Sequence, residues 1–90
     1  MDHSMRILVE GGIQAETKQC IENIKAVLGQ HNSSLDRVVK CTVILKDIND
    51  FSKFNDVYKT YFINKPARTT FAASGLAAGA QIEIDVVALK

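Results

Sequence analysis

From Ile82 to Leu89 the chain reads IEIDVVAL, with Ile82, Ile84, Val86 and Ala88 alternating against Glu83, Asp85, Val87 and Leu89. Side chains of a strand alternate across its sheet, so this period demands one apolar, buried face and one that is not. Upstream, Pro66 removes a backbone donor and turns Lys65 away from right-handed helical dihedrals, so a preceding helix has to stop there. Arg68 to Ser74 then fits a second strand. Gly75 and Gly79 bracket Leu76, Ala77 and Ala78 in a loop where left-handed backbone is available. The pattern predicts a hairpin.

This stretch also holds the most chemically useful side chains. The guanidinium of Arg68 can grip a planar carboxylate through two parallel hydrogen bonds, and the carboxylate of Glu83 can take a proton from water. Spacing alone leaves a plainer alternative open, in which Arg68 caps a sheet edge and Glu83 sits on a solvated strand face.

The rest of the chain supplies a scaffold for the hairpin. Met5 to Val9 fits a short strand, and Gly11 and Gly12 break it ahead of a helix. In that helix Ile13, Thr17, Cys20, Ile21, Ile24, Val27 and Leu28 recur every three or four residues, with Glu16, Lys18, Glu22 and Lys25 toward water. Gly29 is the expected left-handed cap and Gln30 to Asp36 the loop after it. Val38 to Lys46 fits a strand with Val39, Cys41, Val43 and Leu45 on its apolar face. Its mixed face, with Thr70 and Glu83 or Asp85, is expected to stay open to water, a ligand or another subunit. Asn49 or Asp50 can cap a second helix whose Phe51, Phe54, Tyr58 and Tyr61 form a core stripe, with Asn55 at its margin. The order is β-α-β-α-β-β, an α+β two-layer sandwich with both helices on one sheet face.

Size and charge narrow the function. Ninety residues make a single domain, 1–90, which at this length buries only about two-thirds of its unfolded surface, so association with other chains is expected to help stabilise it. With 11 Lys and Arg against 10 Asp and Glu, the net charge is +1, and no basic stripe nominates nucleic acid as a partner. No apolar run is long enough for a membrane span and no secretion signal is recognisable, so a cytoplasmic location is expected. Cys20 and Cys41 belong to no paired-cysteine motif and read as reduced core residues. His3 and His31 have no second ligand or carboxylate nearby in sequence, so neither is assigned a role and no metal is expected.

The segment P-A-R-T-T-F, a loop, and G-A-Q-I-E-I-D-V-V-A-L closely resembles the C-terminal signature of the Rid/YjgF family. These are the reactive-intermediate imine deaminases, also described as liver perchloric-acid-soluble proteins and L-PSP endoribonucleases. GGIQAETKQCIENIKAVL is similar to that family's first helix, SSLDRVVKCTVILKDINDF to its central strand and following turn, and FNDVYKTYF to its second helix. The resemblance implies a chorismate-mutase-like subunit, a homotrimer and a ligand cleft where neighbours meet.

Residue by residue, it implies that Arg68 holds the substrate carboxylate and that Glu83 positions or activates the attacking water. It places Asn55 in the cleft and brings Thr70 to the ligand through main-chain atoms. The implied activity is hydrolysis of 2-iminobutanoate- or 2-iminopropanoate-type imines to 2-oxo acids and ammonia, without a metal or organic cofactor. The alternatives are a non-catalytic binder of small carboxylates and, behind it, a translation inhibitor or endoribonuclease. Such relatives carry about thirty further residues ahead of the matched segment, a strand pair giving a tyrosine and a serine to the cleft. MDHSMR matches none of them, so an incomplete cleft and an uncovered sheet edge are expected. Ala77 stands where a proline is common, and a looser loop is expected there.

Overall fold

The computed structural model describes residues 12–76 and 79–90. The expected strand at Met5–Val9, His3 and Ala77 lie outside these. Within them the elements are α1 (Gly12–Gln30), a 3-10 turn (Leu35–Arg37), β1 (Val38–Leu45), a second 3-10 turn (Ile48–Asp50), α2 (Phe51–Tyr61), β2 (Ala67–Ala72) and β3 (Ile82–Ala88).

The apolar spacing of α1 buries Ile13, Thr17, Cys20 and Ile21 and half-buries Ile24 and Leu28. Two positions depart from the expected stripe. Val27 is largely exposed, whereas Glu16 is only 7% exposed. Glu16 is tolerated there because its Oε1 accepts a hydrogen bond of 3.1 Å from the Gln81 amide just ahead of β3, so a buried carboxylate and a strand-end N–H satisfy each other. The helix runs through Gly29 and is closed by Asn32 instead, at φ 60°. Ser33 N donates to Leu28 O at 2.8 Å and Asn32 N to Gly29 O at 3.4 Å, the paired bonds of a Schellman motif.

β1 is the middle strand of a three-stranded sheet ordered β2-β1-β3, parallel to β2 and antiparallel to β3. The expected β2–β3 hairpin is therefore not formed. β1 is the most apolar strand and carries two rows of backbone donors and acceptors. With β2 on one edge and β3 on the other both rows are paired, whereas a hairpin alone would leave one row unmatched. The chain passes from β2 to β3 across the end of β1, where Ala73 N donates to Leu45 O and Lys46 N to Gln81 O, each at 2.9 Å.

Near the start of β1 the register slips between Val38 and Lys40. This bulge turns Val38 into the core and leaves Val39 45% exposed, reversing the expected placement of the two valines. From Cys41 onward the expected alternation holds, with Cys41, Val43 and Leu45 wholly buried.

Both helices cover this face. Their Ile13, Cys20, Ile21, Phe54 and Tyr58, followed by Phe62, form one core with Cys41, Val43, Leu45, Ile82 and Ile84. Each full burial of an Ile, Leu or Phe contributes about 1.5–3 kcal/mol, so this single core dominates stability. Tyr61 joins the helices, its hydroxyl donating to Glu22 Oε2 at 2.7 Å. Neither Asn49 nor Asp50 caps α2 with its side chain. Asp47 performs the local capping one turn earlier, accepting from Asn49 N at 2.9 Å.

Among the described residues no helix covers the opposite sheet face. Phe71, opposite Ile44, and Val87, opposite Lys40, stand on it 44% and 57% exposed.

Candidate functional site

β2 borders the sheet and alternates its side chains, so Arg68 and Thr70, paired with Cys41 and Val43, turn toward the helices. That face of β2 meets α2. Phe51, Phe54, Asn55 and Tyr58 recur there at intervals of three and four and rise in a row beside the strand. Arg68 lies across this row. Its Nη1 donates to Asn55 Oδ1 at 2.7 Å, and its guanidinium carbon lies 4.6 Å from the Tyr58 ring centroid, 5.4 Å from Phe51 and 5.6 Å from Phe54.

Ring faces attract a cation without neutralising it, and a neutral amide oxygen aims it without removing its charge. Among the described residues no carboxylate pairs with Arg68. The cation therefore sits on a rigid aromatic shelf with further N–H donors available. It borders a cleft of about 350 Å³ lined also by Asn55, Tyr58, Lys59, Phe62, Lys65 and Pro66. Chemically such a cleft can receive an anion, and the planar fork of arginine suits a carboxylate best.

Beneath the shelf two polar atoms are buried without a hydrogen bond of ordinary geometry, the hydroxyls of Tyr58 and Thr70. Burial pushes the Tyr58 phenol far above its ordinary range, and the adjacent Cys41 thiol adds to the shift. Burial likewise raises Cys41, although Tyr58 and the Arg68 charge oppose it. Both groups are thus neutral at physiological pH, and the charge of this region is that of Arg68 and the lysines.

The expected site residues divide. Arg68 and Asn55 meet directly, and Thr70 shares their side of the sheet, not the open face on which it was expected. Glu83 stands opposite Ile44 on β3, on the open face, with β1 between it and β2. Within one chain Arg68 and Glu83 consequently do not line the same pocket. The sequence pattern also hid the cradle itself, because Phe51, Phe54 and Tyr58 at helical spacing read simply as core. Only their interval from Asn55 hints that one arginine could lie along all of them.

Residues 1–90 match the family model described as Endoribonuclease L-PSP. Protein HMF1 of Saccharomyces cerevisiae is 50% identical over 84 residues, covering 92% of this chain and 65% of its own. The 2-iminobutanoate/2-iminopropanoate deaminase of Rattus norvegicus is 43% identical over 91 residues, covering 100% of this chain and 66% of its own. The chain thus spans about two-thirds of the length of these relatives.

Among solved structures, yeast Mmf1 superposes with a TM-score of 0.89 at 37% identity, covering 91% of this chain and 66% of that one. The E. coli protein TdcF, solved with bound serine, gives 0.84 at 28% identity, covering 90% and 67%. Close superposition on these structures, and a family match along the whole sequence, establish that this chain belongs to the Rid/YjgF family, whose model bears the name Endoribonuclease L-PSP.

Proposed function

We propose that this protein hydrolyses reactive imines of 2-amino acids, of the 2-iminobutanoate and 2-iminopropanoate type, to 2-oxo acids and ammonia, in the cytoplasm and as a homotrimer. The observation that carries the proposal is the un-neutralised Arg68 guanidinium, aimed by Asn55 and shelved on Tyr58 beside an open cleft. The deaminase of Rattus norvegicus and serine-bound TdcF, both similar to this chain, support a small amino-acid-derived ligand.

In the proposed mechanism Arg68 takes the substrate carboxylate through two parallel hydrogen bonds, and main-chain atoms of Thr70 orient the imine carbon. Water adds to the C=N carbon while Glu83 accepts its proton. That proton passes to nitrogen, the C–N bond breaks with its electron pair leaving on ammonia, and the remaining hydroxyl proton is given up to the departing ammonia as the C=O bond forms, so the products are a 2-oxo acid and ammonium. Protonated imines are already electrophilic, so positioning and one proton acceptor suffice. Because Glu83 and Arg68 occupy opposite sheet faces of one chain, the acid is supplied by a neighbouring subunit.

The separation of those two groups within the chain also favours a second reading, a carboxylate-binding protein without turnover. Ammonia release from imines generated in situ by an amino-acid oxidase distinguishes the two. The proposal expects acceleration over buffer, reduced at least a hundredfold by Arg68→Ala. Binding of 2-oxobutanoate without acceleration selects the second reading, and wild type and Arg68→Ala behaving alike sinks both. An endoribonuclease activity, suggested by the family's name, predicts RNA cleavage that survives Arg68→Ala.

A further inference from the structure

We infer that the cleft beside Arg68 takes a ligand with two anionic groups, a short 2-imino dicarboxylate or its 2-oxo product, whose second carboxylate is met by Lys59 and Lys65. This rests on Arg68 as the anchor of the first carboxylate and goes beyond it by naming the substrate class.

The lining of the cleft carries the inference. Lys59, Lys65 and Arg68 all border it, together with the neutral Asn55, Tyr58, Phe62 and Pro66, and no acidic residue does. A monocarboxylate needs one cation, and two more border so small a volume. Among the described residues the sole ion pair is Lys59 with Asp56, at 3.7 Å between side chains 66% and 59% exposed. An exposed pair of this kind is weak, and Lys59 is readily drawn to a better anion.

Lys65 is held in place by its backbone. It adopts φ 53°, the left-handed region, directly before Pro66, and its N–H donates to Phe62 O at 3.2 Å. A non-glycine residue in that region is strained and is uncommon outside turns and functional sites. Here the strain fixes the origin of a cationic side chain at the mouth of the cleft. The aliphatic stems of both lysines and the ring of Pro66 add apolar lining to the cleft, which suits the methylenes of a short dicarboxylate.

The test compares 2-oxoglutarate with 2-oxobutanoate by calorimetry on the full chain. The wild type is expected to bind 2-oxoglutarate about tenfold more tightly at low salt, a preference that shrinks as ionic strength rises. In the Lys59→Gln/Lys65→Asn double variant the preference is expected to fall to about parity. Glutamine keeps helix propensity at 59 and asparagine tolerates left-handed backbone at 65, so the variant retains the fold.

Equal or weaker 2-oxoglutarate binding by the wild type overturns the inference, as does a preference unchanged in the double variant. The anchor is tested separately. Arg68→Ala abolishing 2-oxobutanoate binding upholds it, so a missing dicarboxylate preference then counts against the lysines alone. Intact 2-oxobutanoate binding in Arg68→Ala, or no binding of either ligand to the wild type, overturns the anchor and the inference together.

Discussion

Among the described residues Arg68 has rings and an amide for neighbours and no carboxylate partner, whereas the phenol of Tyr61 is bonded to a carboxylate. Its hydrogen bond to Glu22, reinforced by burial and by the Glu22 charge, pushes it up to about 12. An unfolded tyrosine ionises near about 10, so the native state favours the protonated phenol. The resulting stabilisation is complete below about pH 10 and is lost as pH rises through about 12. Tyr61→Phe is expected to cost about 1 kcal/mol at neutral pH, with the gap from wild type closing between those two values; urea titrations at pH 7, 9 and 11 check this. A gap that stays constant to pH 11 contradicts it. At this scale the sequence was legible where chemistry is intrinsic to the residue, as with the fork of Arg68 or the amide of Asn55. It was silent where a partner comes from afar, as with Glu22 for Tyr61 or Gln81 for Glu16.

Strands and helices were recoverable from their periods, because Ile82, Ile84 and Val86 alternate and Ile13, Thr17, Cys20 and Ile21 recur regardless of neighbours. Pairing was not recoverable, since nothing in β2 or β3 records which edge of β1 each will join. Gly75 and Gly79 adopt φ values of 79° and 70°, and such glycines serve a crossover as well as a hairpin. The bulge at Val39 escaped for a related reason, as an inserted residue leaves no mark on an unbroken run of apolar side chains. Beside the apolar packing of Ile82 and Ile84, the Glu16–Gln81 bond ties the start of β3 to the helical layer. Glu16→Ala leaves the Gln81 N–H without its acceptor and is expected to cost about 1–3 kcal/mol, while Glu16→Gln retains an acceptor oxygen and costs less. Thermal unfolding of the two variants checks the order, and equal melting temperatures would refute it.

For the molecule as a whole, the open sheet face is expected to govern the behaviour in solution. Phe71 and Val87 stand on it, and Leu89 just beyond β3 is 60% exposed. Large apolar side chains gathered on one face mark an association surface. Sedimentation is expected to give a mass several times that of the 9.9 kDa chain, falling toward the monomer in Phe71→Lys/Val87→Lys, where like charges face one another across the contact. A wild type that sediments as the monomer at all concentrations removes this surface from consideration. The central position of β1 bears on biosynthesis too. A chain emerging from the ribosome completes β1 well before β3, so one row of β1's hydrogen-bonding groups waits for its mate. The nascent protein must therefore carry an unfinished edge until β3 emerges, and a premature stop before Ile82 would release a fragment primed to stick to its own kind.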